Sequence, residues 1–165
     1  MGPDVELLTT ARTATLATIS PSGLPRLVPV CFAAVPDPDA EHGIRIYTPL
    51  DQKPKRSADP RELARVRDIA ADPRVSLLVD RWSEEWSTLS WLRVEGVASL
   101  VEPDADCAEH DAALAALRDR YPQYREHDLE SRPLILLTFG RVTSWSASPG
   151  PPTDDQRRVG IVQRP

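Results

Sequence analysis

Residues 13–35 read TATLATIS, then PSG, then LPRLVPVCFAAV, and the interpretation of this stretch decides the fold. Two runs rich in β-branched residues flank Pro21-Ser22-Gly23. Strand-forming segments on either side of a Ser-Gly turn predict an antiparallel β-hairpin. Upstream, residues 3–11 (PDVELLTTA) have Pro3 near the first turn and acidic residues early, the signature of a short helix. Downstream, the polar stretch PDPDAEHG leads to a third strand over 44–48, where Ile44 and Ile46 alternate with polar neighbours.

Beyond residue 58 the hydrophobic period changes. Asp59, Pro60 and Glu62 form a capping-box-like helix start. Leu63, Val66, Ile69 and Ala70 then fall on one helical face, and Asp72-Pro73 ends the helix. Residues 75–80 (VSLLVD) predict a fourth strand, its leucine pair too apolar for a surface edge, and 88–101 a long fifth strand in which Gly96 marks a bulge or bend. Pro103 opens a second helix, with Ala113, Leu117 and Tyr121 on one face, ending before Pro122. Residues 133–147 predict a sixth strand with a further bend at Gly140. The sum is an α+β fold, a six-stranded antiparallel sheet with flanking helices, closed or nearly closed into a barrel. One domain covers 1–148, and the Pro-rich residues 149–165 read as a mobile or partner-draped arm.

Bulk properties narrow the function classes. The 165 residues, 41% hydrophobic and 27% charged, suit one globular domain. No apolar run reaches the ~20 residues needed to span a bilayer, and the start Met1-Gly2-Pro3-Asp4 lacks the pattern of a signal peptide. A cytoplasmic location without membrane association is expected. Cys31 and Cys107 lie far apart and read as small buried hydrophobes rather than a disulfide or zinc pair. His42, His110 and His127 show no metal-ligand spacing and read as solvated residues. The net charge of −5 disfavours nucleic acid as a partner.

The basic residues are uneven in kind. Of twenty Lys and Arg residues only two are lysine, Lys53 and Lys55. Both sit in Thr48-Pro49-Leu50-Asp51-Gln52-Lys53-Pro54-Lys55-Arg56, between the third strand and a capped helix. Three cations in four residues, beside a hydroxyl and near a helix start, suit an anion such as phosphate. The ordinary reading of such a run is a solvated basic turn.

The ordered blocks ATLATISPSGLPRLVPVCFA, IYTPLDQKPKR, ELARVRDIAADPRVSLLVD and WLRVEGVASLVE resemble the split β-barrel flavin- and deazaflavin-binding superfamily that includes pyridoxamine 5′-phosphate oxidase. The blocks span most of the chain and are most similar to its deazaflavin-dependent actinobacterial branch, which the Trp-rich insert RWSEEWSTLSW also fits. The resemblance implies a homodimer with two cofactor sites at the subunit interface. Carried over by position, Lys53 and Lys55 contact the cofactor phosphate, assisted by Thr48 and Arg56. Pro29, Val30, Cys31 and Phe32 lie along the flavin-like ring with their backbone groups. Trp86, Trp91 and Arg93 close the pocket from the facing subunit. The implied cofactor is coenzyme F-420, with flavin mononucleotide (FMN) as the alternative, and the implied activity is hydride transfer to a small organic substrate. The arginine-rich phosphate motif and C-terminal Arg and His pattern of pyridoxamine-phosphate oxidases are not evident, which puts that oxidation in doubt.

Two features have plainer explanations. Trp82, Trp86 and Trp91 cluster within ten residues, and with Trp145 they suit core or interface packing as readily as a ring-stacking wall. Cys31 has no His or acid nearby in sequence to activate it as a nucleophile. No catalytic acid or base is named by the sequence, so a protein that binds the cofactor without turnover stays open beside the enzyme.

Overall fold

A computed structural model of the chain describes residues 3–50 and 59–147. In chain order these form α1 (Pro3–Thr10), β1 (Ala14–Ile19), β2 (Pro25–Val30), β3 (Ala33–Pro36) and β4 (Ile44–Pro49). There follow α2 (Ala64–Ala71), β5 (Arg74–Arg81), β6 (Ser90–Val101), α3 (Cys107–Arg120) and β7 (Leu134–Ser146). All strand pairs are antiparallel, in the order β2-β1-β5-β6-β7-β4-β3. The predicted turn stands: Gly23 takes φ +78°, and its amide donates to the Ser20 carbonyl at 2.8 Å.

The sheet has seven strands and is not closed, where the sequence predicted six in a closed or nearly closed barrel. The extra strand comes from residues 24–35, read as one run and divided here into β2 and β3. These two lie at opposite edges of the sheet, joined only by Cys31 and Phe32. Phe32 leaves both ladders because a side chain takes its peptide groups. Its N–H donates to the Tyr121 hydroxyl at 3.1 Å, and its C=O accepts from that hydroxyl at 2.8 Å. A two-residue step between edges requires the sheet to curl until those edges approach at one end.

Curvature also enters at the predicted glycines. Glu95 faces Arg141 but Gly96 faces Phe139, so Gly140 is the extra residue of a bulge on β7. A side chain at Gly96 has no room, since a Cβ there would lie 2.0 Å from the Thr138 carbonyl oxygen.

Two cores form on opposite faces of the curled sheet. Inside lie Leu16, Phe32, Ile46, Leu77, Leu92 and Ile135, with α1 and α2 contributing Leu7, Val66 and Ile69. On the other face α3 packs Ala113, Leu114, Leu117 and Tyr121 against Ala33, Tyr47 and Leu136. Strands β4 and β7 are covered on both sides in this way. That is why LILLTF has no polar alternation.

The helices begin later than predicted. The Asp59 side chain accepts from the Arg61 amide at 2.8 Å and Pro60 takes the first position, but the turn Pro60–Glu62 is a 3₁₀ helix and α2 starts at Ala64. Ala70 is exposed, and the buried residues of α2 are Val66, Asp68 and Ile69. Likewise α3 starts at Cys107 rather than at Pro103. Four further corrections concern single residues. Cys107 is exposed and Cys31 half-buried, both free thiols. His110 is buried with its Nε2 2.8 Å from the Arg132 carbonyl oxygen, and His127 is half-buried, its ring edge-on to Tyr124. No helix among the described residues is long and apolar enough to cross a membrane.

Candidate functional site

Thr48 sits near the C-terminal end of β4, a few residues before the lysine-bearing stretch of sequence. Its neighbours Ile46 and Leu50 point into the inner core, and Thr48 is itself only 1% exposed. Its Oγ1 has no hydrogen-bond partner among the described residues. A buried hydroxyl without a partner costs about 1–3 kcal/mol, which makes this atom the one among the sequence-predicted cofactor contacts whose donor is unspent among the described residues. Lys53, Lys55 and Arg56 lie outside the described residues, as does the arm 149–165.

The crossover between the sheet edges meets this point. Strands β3 and β4 pair Ala33 with Tyr47. The ladder ends at that pair, so Phe32 and Thr48, the next residues of the two segments, lie at the same end of it. Of the implied ring-contact segment, Pro29 is exposed, Val30 and Phe32 are buried and Cys31 is half-buried. Thus Thr48 and the 29–32 segment, separated in sequence, share one end of the curled sheet.

Trp86, Trp91 and Arg93 lie elsewhere on the chain. Cross-strand pairing runs Pro29–Thr15–Leu78–Arg93–Thr143 in one row, which puts Arg93 three strands, roughly 14 Å, from Pro29. Trp91 faces Asp80 and Trp145 across the strands. Trp86 sits on the connection between β5 and β6, 75% exposed. Arg93 and Arg141 flank Glu95, with nitrogen–oxygen distances of 3.6 and 3.4 Å. Within one chain these residues do not join the crossover.

Three networks fix the frame around the crossover, and sequence reasoning did not single them out. At the first, Asp68 accepts from the Thr18 hydroxyl at 2.8 Å and pairs with Arg26 Nε at 2.9 Å. This ties α2 to β1 and β2. At the second, Glu109 in the first turn of α3 accepts from Arg45 at 2.9 Å and from the Tyr47 hydroxyl at 2.7 Å. Burial first, and then the bond to Glu109, push the Tyr47 phenol well above its usual range. At the third, the Tyr121 hydroxyl accepts from the Phe32 N–H, and its single proton is shared between the carbonyls of Phe32 and Arg12, 2.8 and 2.9 Å away. Arg120 lies over the Phe32 ring at 4.6 Å and donates to the carbonyls of Leu8 and Ala11. Pairings over 50 to 112 residues leave no mark in local spacing.

An open groove of about 450 Å³ lies at the bulge, lined by Asp39, Glu41, Val97, Thr138 and Phe139 among others. It contains none of the predicted site residues. Among the described residues, no group of three or more His, Cys, Asp or Glu side chains converges as a metal site requires.

Comparison with known proteins gives the same picture of the fold. The family model described as pyridoxamine 5′-phosphate oxidase matches residues 4–146. No curated protein matches. Among solved structures, the chain is similar to the conserved hypothetical protein Rv2991 of Mycobacterium tuberculosis, with 24% identity, a TM-score of 0.65 and coverage of 86% of this chain and 81% of that one. It is also similar to an F-420 reductase, at 19% identity and TM-score 0.57, over 87% of this chain and 98% of the other. HutZ, the heme storage protein of Vibrio cholerae, is similar at 15% identity and TM-score 0.55, over 86% and 90%. At these identities the likeness is one of fold.

Proposed function

This chain belongs to the pyridoxamine 5′-phosphate oxidase family, and on that footing we propose that it is an oxidoreductase that binds a phosphate-bearing deazaflavin, coenzyme F-420, and acts on a small organic substrate. The observation that carries the reading is the buried Thr48 hydroxyl, without a partner among the described residues, near the crossover and a few residues before the chain's only two lysines. A hydroxyl there suits a phosphate oxygen, which accepts what Thr48 has to donate. When bound, the cofactor supplies the hydride chemistry. The chain's own residues then bind and orient: Lys53, Lys55, Thr48 and Arg56 at the phosphate, and the 29–32 backbone along the ring. FMN fits the same description.

We place Trp86, Trp91 and Arg93 in the site of a second copy, in a homodimer. The support is the apolar surface that one protomer leaves uncovered on the sheet and its hairpin ends, including Leu27 at 64%, Trp82 at 71% and Trp145 at 49% exposure. Light scattering should give a dimer mass, and a monomer at high concentration would contradict this arrangement.

The double substitution Lys53→Ala, Lys55→Ala is expected to weaken cofactor binding by about 2–4 kcal/mol, since charge-assisted contacts contribute about 1.5–3 kcal/mol each and overlap. Unchanged affinity in a titration of that variant would remove the lysines from the site. A second reading, cofactor binding without turnover, is favoured by the lack of an acid or base that the sequence names and by the storage role of the similar heme protein. Tight binding with no hydride transfer over a broad acceptor panel would decide for it.

A further inference from the structure

Resting on the cofactor reading above, we infer that Tyr121 is a positioning residue that turns the Cys31 peptide toward the bound ring. Several features of the crossover lead there. Both peptide groups of Phe32 are engaged by the Tyr121 hydroxyl. They are therefore closed to any ligand. Cys31, one residue earlier, has no hydrogen bond from its N–H or C=O to another described residue.

The reason lies in the ladders on either side. The β3–β4 pairing stops at Ala33–Tyr47, two residues short of Cys31. On β2, Ser20 bonds Leu24, which fixes the alternation of the β1–β2 ladder. Val30 is then a hydrogen-bonded partner of Ala14, and Cys31 points away from β1. A half-buried residue whose N–H and C=O have no partner among the described residues, at the end of the sheet that also holds Thr48, matches the edge of a flavin-like ring, which alternates carbonyl oxygens with a ring N–H. Phe32 is the anchor that holds this peptide still. Its side chain is fully buried, Arg120 covers its ring, and Tyr121 ties its backbone to α3 and to Arg12.

The test separates ring from phosphate by using riboflavin, which lacks the phosphate, beside FMN and inorganic phosphate. In the full chain, Tyr121→Phe should raise the dissociation constants of riboflavin and FMN by the same factor, about tenfold. Inorganic phosphate affinity should stay unchanged, and the absorption bands of bound riboflavin should move toward those of the free dye. Amide exchange on the unaltered protein provides a measurement that needs no variant. Phe32 should exchange slowly with or without riboflavin, and Cys31 should slow only when riboflavin is present. Equal riboflavin affinity in folded Tyr121→Phe, or a Cys31 amide indifferent to bound riboflavin, would overturn the inference while leaving the cofactor reading intact. Failure of the unaltered protein to bind any of riboflavin, FMN or coenzyme F-420 would overturn both.

Discussion

Gly96→Ala is expected to lower the stability of the fold by about 3 kcal/mol or more, at the upper end for overpacked sites. The added Cβ would lie 2.0 Å from the Thr138 carbonyl oxygen and 2.6 Å from the Phe139 Cα. Both are backbone atoms of the adjacent strand, so no rotamer change relieves the clash. The strand pair β6–β7 would have to separate at the bulge that bends the sheet. Gly140→Ala is the matched comparison, because its Cβ meets first the Glu41 carboxylate, at 2.8 Å. That carboxylate ends a flexible side chain and can swing aside, so the loss should be about 1 kcal/mol or less. Urea unfolding of the two variants measures the difference directly. Equal midpoints would mean that the close approach at Gly96 is not a feature of the folded chain.

Asp68→Ala is expected to cost about 2–4 kcal/mol. The carboxylate is 2% exposed and takes a hydrogen bond from Thr18, itself 1% exposed. Removing it leaves the Thr18 hydroxyl buried without a partner. The Arg26 side chain is 46% exposed and can return to water, which keeps the loss below that of a fully enclosed ion pair. Asp68→Asn retains an acceptor for Thr18 and loses only the charge, so it should cost about half as much. Thermal unfolding of the two variants at neutral pH checks the order. Equal losses in the two variants would show that the ion pair with Arg26, which both lose, dominates over the bond to Thr18.

The parts of the fold that were legible in the sequence are those set by local chemistry. The Pro21-Ser22-Gly23 turn, the alternation of Ile44 and Ile46, and the helical face of Ala113, Leu117 and Tyr121 all depend on neighbours within a few residues. The glycine bulge was legible because a gap in side-chain volume inside a strand is itself a local sign. What was missed depends on distant partners. The break between β2 and β3 follows from a hydroxyl on Tyr121, 89 residues away, and nothing in PVCFAAV marks it. Asp68 carries no local sign of its burial, because Thr18 and Arg26 arrive from another part of the chain. At the candidate site, Thr48 and the 29–32 segment could be named from the motif order of the family. Their adjacency is a consequence of β3–β4 register, which spacing alone does not reveal. The outward placement of Trp86 and Arg93, three strands from the crossover in the case of Arg93, is likewise a property of the sheet.

The central claim is that this edge of the sheet holds a phosphate-bearing flavin-like cofactor, with deazaflavin preferred. The most direct test is a fluorescence titration of the purified, cofactor-free protein with coenzyme F-420 and, separately, with FMN. The account predicts micromolar or tighter binding of coenzyme F-420 and distinctly weaker binding of FMN. Preference for FMN would contradict the deazaflavin assignment while keeping the site, and binding of neither would contradict the claim itself.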